Sequence, residues 1–301
     1  MTFRSPSFVS VVIPHFNQAR LLEICLSSLE QQTWPRARCE IIVADNGTPG
    51  GIESVKAAFP HVRFIDVAER GAAPARNAAL AVTTGEAIAF IDADCVAAPD
   101  WLENGLDGLR EADLSGGRII VTVENETAPT AVEAFERVFA FQQRDYVERK
   151  KFSATANLFV RASAARAIGP FTNGLSEDVD WCRRGVALGF HLAFNDKSIV
   201  SHPARRDWSE LIRKWERIIA ERWAGFEGRG SVRAFAWISL AAATALSTAP
   251  HLLRVATSAE LTSVRDRAAA AAILARLRWW RARRMTSLLF AKGGTAECVC
   301  D

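Results

Sequence analysis

Ala87-Ile88-Ala89-Phe90-Ile91-Asp92-Ala93-Asp94-Cys95 is the stretch on which the reading of the fold turns. It is an uncharged apolar run that stops abruptly in two aspartates spaced i and i+2, entered after Gly85 and left before Pro99. A run this short and apolar predicts a strand buried on both faces, as in a sheet covered by helices. In open α/β sheets ligands bind beyond the carboxyl ends of the strands, so Asp92 and Asp94 stand where a ligand is held. Residues two apart on an extended chain point the same way, which lets both carboxylates address one hard cation and the phosphates it carries. Alone, an Asp-x-Asp is more simply an acidic turn; the surrounding segments decide against that.

Upstream, Val9-Ser10-Val11-Val12-Ile13 is a β-branched run ended by Pro14, a first strand with His15-Phe16-Asn17 as its exit loop. Leu21, Leu22, Cys25, Leu26 and Leu29 recur at helical spacing before Pro35. Glu40 to Ala44 is strand-like again and runs into Asp45-Asn46-Gly47-Thr48-Pro49-Gly50-Gly51, a loop of turn formers. Val62 to Val67 makes a third strand, and Gly71-Ala72-Ala73-Pro74-Ala75-Arg76-Asn77 opens an alanine-rich helix predicted to end near Gly85. This β-α-β-α-β-α-β rhythm predicts a parallel, doubly wound sheet. No G-x-G-x-x-G follows the first strand and no P-loop occurs anywhere, so a metal held by carboxylates has to neutralise any phosphate.

With 301 residues, 49% hydrophobic and 24% charged, the chain can bury a full core and carry an appendage, and extensive disorder is excluded. Six cysteines are scattered without framework spacing and no secretory signal opens the chain, so the expectation is reduced thiols in a cytoplasmic protein. Cys298 and Cys300 have no partner ligands nearby and read as tail rather than metal site. The net charge of +3 hides an asymmetry: from His202 onward 17 basic residues face 9 acidic ones, near +8, which leaves the remainder near −5. Six of the nine tryptophans also lie in that basic part, which suggests an anionic surface as partner, lipid headgroups or nucleic acid.

The ordered set of Val9 to Asn17, Ile42-Val43-Ala44-Asp45-Asn46-Gly47, Gly71 to Asn77, Asp92-Ala93-Asp94 and Glu177-Asp178 resembles a family 2 glycosyltransferase of the GT-A fold, over roughly residues 8–203. The resemblance implies an α/β fold: a mostly parallel, Rossmann-like central sheet flanked by helices, with a C-terminal helical appendage. It implies a catalytic domain over 1–205, nucleotide-binding in 1–95 and acceptor-binding in 96–205, with 206–301 as the basic, Trp-rich appendage. By the family pattern, the first loop (Pro14, Phe16, Asn17) and Asp45 hold the uridine, Arg76 approaches nucleotide or phosphates, and Asp92 and Asp94 bind ribose and metal. Where the family usually carries a second Asp after Asp45, this chain has Asn46.

Further on, Gly116 to Val123 reads as a strand that by resemblance begins the acceptor half, and Phe135, Val138, Phe139 and Phe141 suggest an amphipathic helix made for packing. Phe152 to Arg161 resembles the family's small-residue loop before a strand, with Asn157 either donating to the donor sugar or satisfying its own turn. Leu175-Ser176-Glu177-Asp178-Val179-Asp180 should begin a helix ending near Gly189, and acidic residues in a first turn are favoured by the helix dipole alone. By resemblance Asp178 is the catalytic base and Glu177 orients acceptor or base. Ile199-Val200-Ser201-His202 is a short strand whose terminal histidine resembles a GT-A metal ligand.

In the appendage, Trp208, Leu211, Ile212, Trp215, Ile218, Ile219 and Trp223 form one helical stripe capped by Asp207 and Glu210, to pack on the catalytic domain or lie on a membrane. Its end, Ile219 to Trp223, resembles the Gln-x-x-Arg-Trp motif of processive members such as cellulose and hyaluronan synthases. The leading Gln is missing, which argues against a processive polymerase. Ala234 to Leu253 carries no charged residue and is long enough to span a bilayer, yet Pro250 and several polar groups favour a buried or interfacial helix. Leu274 to Met285 is basic and aromatic, as interfacial helices are.

The expectation is an inverting, metal-dependent glycosyltransferase moving a sugar from a UDP-sugar, with Mn²⁺ or Mg²⁺ held by Asp94, Asp92 and His202. The acceptor is a hydroxyl of a lipid, lipid-linked saccharide or polysaccharide, and the protein sits peripherally at the inner face of the cell membrane through its C-terminal helices. Nucleic acid is set aside, because the acidic sheet end repels a phosphate backbone. A sugar nucleotidyltransferase is the rival enzyme, though the Pro14 to Leu22 loop offers only Arg20 for a triphosphate. A non-catalytic donor-binding module is the third reading, opposed by the intact Asp92, Asp94 and Asp178.

Overall fold

The computed structural model describes residues 6–174, 176–228 and 230–290; Cys298 and Cys300 lie outside them. In chain order the elements are β1 (Val9–His15), α1 (Ala19–Glu30), β2 (Cys39–Asp45), α2 (Glu53–Ala58), β3 (Arg63–Asp66), α3 (Ala72–Leu80), β4 (Ala87–Phe90) and β5 (Val96–Ala97). There follow α4 (Trp101–Gly108), β6 (Leu114–Thr122), α5 (Ala131–Phe139), α6 (Gln143–Glu148), β7 (Leu158–Arg161), α7 (Ala162–Ile168), α8 (Glu177–Ala187) and β8 (Leu192–Pro203). The chain closes with α9 (Trp208–Ala224), α10 (Gly230–Leu246), α11 (Thr248–Thr257) and α12 (Val264–Ser287).

One eight-stranded sheet has the order β3-β2-β1-β4-β7-β6-β8-β5. It is parallel across β3, β2, β1 and β4, where crossover helices separate successive strands; β7 then pairs antiparallel with both β4 and β6, and β5 antiparallel with β8. The sheet is therefore mixed. The first half was legible from the β-α alternation, whereas β7 and β8 reach their places by long-range pairing that periodicity does not report.

Period-2 alternation sorts the strand side chains to two covered faces. Val11, Ile13, Ile41, Val43, Ala89 and Ile91 pack with Leu22, Leu26 and Trp101 on one side. Val12, Ile42, Ile88 and Phe90 pack with Ala75, Ala79 and Trp181 on the other. Both faces being covered explains why β4 is apolar throughout and β1 apolar over Val11–Ile13. Pairing of β1 with β4 stops at Val12–Phe90, while β1 and β2 run on together to His15 and Asp45. Pro14 thus falls past the last β4 partner, where its missing N–H costs no bond on that side, and the strand ends splay into a crevice.

Two compact units emerge, one of residues 1–120 with 141–203, the other of 121–140 with 204–301. The segment 121–140, read from the sequence with the acceptor half, folds with the C-terminal helices. There Val132, Phe135 and Val138 of α5 pack against Leu211, Ile273, Leu274 and Leu277, and Thr130 and Glu133 form a capping box. Glu136, 2% exposed, is held by Arg205 and Lys214. The Trp stripe of α9 is spent on this unit's own core, with Leu211 and Ile219 buried. The apolar stretch predicted over 234–253 is two helices, broken at Ser247, with Pro250 tolerated in the first turn of α11. Across 230–257, a stretch apolar and long enough to cross a membrane, only 17% of the apolar window is buried.

Candidate active site

The first unit gathers its charged residues at the carboxyl ends of β1, β2 and β4. At the end of β2, Asp45 receives the Thr48 amide on Oδ2 at 3.0 Å, and the Thr48 hydroxyl and His15 Nδ1 on Oδ1 at 2.5 and 2.7 Å. His15 Nε2 accepts the Gln18 amide at 3.2 Å, which fixes the tautomer: Nδ1–H donates to Asp45. Burial alone would raise the Asp45 carboxyl, but the Thr48 donors and His15 more than offset it and hold it below its ordinary value. Asn17, at φ 51, donates its amide to Thr48, so the loop after β1 is tied to the loop after β2. Phe16 lies beneath the Arg70 guanidinium, 5.0 Å from the ring centroid.

Asn46 is a clasp. Its Nδ2 donates to the carbonyls of Val67 and Glu69, and its Oδ1 accepts the Gly71 amide at 2.6 Å. An aspartate could not donate to either carbonyl, which gives the Asn at this position a structural reason. The clasp holds Gly71 at φ 127, where a Cβ would come within 2.7 Å of Asn173 Oδ1, so only glycine starts α3 here.

That start aims Arg76 inward. It is 4% exposed and spans the site: Nη2 donates to Asp92 Oδ1 and Nη1 to Glu177 Oε1, each at 2.9 Å. Burial works against the charge, yet Asp92, Glu177 and Asp178 outweigh it and raise the guanidinium further. Arg76 therefore joins the end of β4 to the first turn of α8, two segments far apart in sequence. Asp178, half-buried at the same helix start, accepts the Val179 amide on Oδ1 at 2.8 Å. Burial and the neighbouring Glu177 push it up to about 6, with Arg76 pulling the other way.

Asp94 meets the end of β8. His202 Nδ1 donates to the Pro203 carbonyl at 2.7 Å, and its Nε2 stands 3.3 Å from Asp94 Oδ2. Ligand atoms at right angles around a cation about 2.1 Å away lie about 3 Å apart, so this pair has the spacing of two ligands to one ion. The ligand atoms of Asp94, Cys95 and His202 all fall within 4.8 Å of one another. Cys95 does not complete the set: burial, with Asp92 and Asp94 adding to it, keeps its thiol protonated. The carboxylates and one imidazole nitrogen are a donor set that fits Mn²⁺ or Mg²⁺.

Among the residues singled out from the sequence, Asp45, Arg76, Asp92, Asp94, Glu177, Asp178 and His202 line the carboxyl ends of the sheet, with Pro14 among the last residues of β1 that pair with β2 and Phe16 and Asn17 on the adjoining loop. Asn157 does not join them, and the expectation that it faces a donor sugar is corrected. It is fully buried, with Nδ2 on the carbonyls of Arg118 and Ser198 and Oδ1 accepting from Trp101 Nε1 and Ser198 Oγ. Every hydrogen-bonding position of its amide is filled. A Cβ on Gly117 would sit 2.2 Å from its Nδ2, so the clasp also dictates that glycine. Sequence reasoning gave Thr48 no role and read Phe141 into an amphipathic helix that in the structure ends at Phe139. Thr48 was legible as an Asx-turn partner three residues after Asp45. Phe141, at φ 47 with its ring 4.5 Å from that of His202, carries no local signal.

Residues 10–169 match the profile of Glycosyl transferase family 2. The chain is 33% identical over 220 residues to glycosyltransferase AglE of Haloferax volcanii, across 70% of this chain and 71% of that one. It is 30% identical over 215 residues to the pre-mycofactocin glycosyltransferase of Mycobacterium tuberculosis, across 66% of this chain and 44% of the relative. In fold it resembles the mannosyltransferase PcManGT of Pyrobaculum calidifontis, solved in complex with GDP-Man and Mn²⁺. That likeness has a TM-score of 0.60 and 18% identity, over 95% of this chain and 87% of the other.

Proposed function

The chain belongs to glycosyl transferase family 2, and on that premise we propose that it is an inverting, metal-dependent enzyme that moves a sugar from a UDP-sugar to a hydroxyl group. One observation carries this reading: Arg76 bridges Asp92 and Glu177, which sets Asp178 beside the carboxylates at the end of β4. In the proposed reaction the Asp178 carboxylate takes the proton of the acceptor hydroxyl while its oxygen attacks the anomeric carbon. The bond from that carbon to the diphosphate breaks on the opposite face and the configuration inverts. A proton acceptor poised near neutrality suits this task, because it is ionised at working pH yet still basic.

Asp94, Asp92 and His202 are the residues that would hold Mn²⁺ or Mg²⁺, whose charge, when bound, would stabilise the departing diphosphate. Arg76 holds its two acidic partners in place. Asp45 supports uridine as the base. With three donors already on its carboxylate, Oδ2 keeps one lone-pair direction, enough for the single N3–H of uracil but not for the paired donors of guanine. For the acceptor we favour a lipid, lipid-linked saccharide or polysaccharide met at the inner face of the cell membrane. The exposed apolar window of α10 and α11 and the basic α12 support that placement.

Asp178→Asn tests the assignment without knowledge of the acceptor. Hydrolysis of UDP-sugars, with water as acceptor, should fall by about a thousandfold. UDP affinity by calorimetry should stay the same. Turnover retained in the variant would remove Asp178 as the base.

A further inference from the structure

The second unit contains a buried cation with no counter-ion among the described residues. Arg281, on α12, is 8% exposed and lies flat on Trp215 of α9, its guanidinium carbon 3.6 Å from the ring centroid. Its Nε is buried without a hydrogen-bond partner. Among the described residues no carboxylate comes within ion-pair reach of it; the charges that do face it are Arg278, one turn earlier on α12, and Arg222 on α9. Burial, with these two cations adding to it, pulls the Arg281 guanidinium down to about 9. An arginine carried inside a fold beside two others, with no acid at hand among the described residues, costs stability that a bound anion would return.

The neighbourhood indicates what carries that anion. Met285, one turn past Arg281, accepts the indole N–H of Trp237 at 2.8 Å, which anchors α10 beside this end of α12. The opposite face of α10 presents Val232, Phe235, Ile238 and Leu246, all exposed. These fall on one side of the helix, away from Trp237 and Ala241. An apolar outer face on α10, with guanidinium groups on the helix that its inner face anchors to, has the layout of a lipid: chains on one side, headgroup on the other.

We propose that Arg281, on its Trp215 platform with Arg278 and Arg222 beside it, receives the phosphate of a lipid headgroup when the apolar face of α10 enters a bilayer. This rests on the membrane placement proposed above and assigns that contact to one residue. The test uses the full chain, vesicles of phosphatidylcholine and phosphatidylglycerol in equal parts, and Arg281→Met beside Arg283→Met. Arg283 is exposed on the same helix, so both variants lose one charge.

Arg281→Met should weaken vesicle binding by about tenfold or more and Arg283→Met by no more than about threefold. Without vesicles, Arg281→Met should raise Tm by about 2–4 °C, since a methionine fills the same apolar contact without the uncompensated charge. Equal losses from the two variants would reduce the effect to diffuse charge and overturn the proposal, as would a lowered Tm for Arg281→Met. Should the native chain not bind vesicles at all, the membrane reading fails separately. Inorganic phosphate then decides: thermal stabilisation by phosphate that disappears in Arg281→Met keeps the receptor and makes its ligand soluble, and its absence removes the receptor too.

Discussion

The ends of β1, β2 and β4 and the seam between α9 and α12 both concentrate charge, but they treat it oppositely. At the strand ends charged groups face one another: Asp45 has His15, Arg76 has Asp92 and Glu177, Asp94 has His202, and Asp178 lies beside them. Along α9 and α12 arginines lie on indole faces instead, Arg276 on Trp208 and Arg281 on Trp215. The helical unit can pair charge where its fold needs it, as Glu136 with Arg205 shows. Unpaired arginines there are thus not a failure of packing. Paired charges fix positions to a fraction of an ångström, as bond-making chemistry requires, whereas an unpaired one remains available to a partner.

The sharpest way to break this contrast is to remove one member of a compensated pair that also serves as a ligand. Asp94→Ala removes the carboxylate beside His202 Nε2 and should cut the Mn²⁺-dependent part of UDP affinity by about a hundredfold. Calorimetry with and without EDTA reads it directly. If nucleotide binding were unchanged and still metal-dependent, the pair would be structural and the contrast would lose its functional half.

Asn157→Ala sharpens the line between site and scaffold, with a smaller effect on a different quantity. It strips partners from Trp101 Nε1 and from the carbonyls of Arg118 and Ser198, and should cost about 2–4 kcal/mol of stability. Donor affinity in the folded fraction should stay as it was. A fall in donor affinity without a fall in Tm would return Asn157 to the site.

Asn157 also marks where the sequence stops being informative. The strands, the Asp-x-Asp and the acidic start of α8 were legible, because each is a local pattern: period-2 apolar runs, carboxylates at i and i+2, acids in a first turn. The meaning of an asparagine after small residues depends on Trp101, Arg118 and Ser198, which share no pattern with it. The same limit hid the antiparallel half of the sheet and the transfer of 121–140 to the helical unit, since both rest on pairings across many residues. It hid the service of Arg76 as well. The resemblance aimed Arg76 at nucleotide or phosphates, but its bridge between Asp92 and Glu177 shows only once the fold puts carboxylates on both sides of it.

The gentlest probe is pH, and it separates the regions by sign. Asp178 is raised from an unfolded value near 3.8 to about 6, so between those limits the folded chain holds a proton that the unfolded chain has released. Stability from this group is full below about 3.8 and is lost as pH rises toward 6. Catalysis runs the other way, because only the ionised carboxylate accepts a proton: UDP-sugar turnover should fall about tenfold for each unit below 6 and level off above it. Asp178→Asn should be stabilised relative to the native chain above pH 6 and lose that advantage near pH 4, which thermal melts across the range can follow. An Asp178→Asn variant less stable than the native chain at pH 7 would mean that the carboxylate is held ionised for the fold, as Asp45 is, and that the strand-end cluster keeps no group in reserve for the substrate.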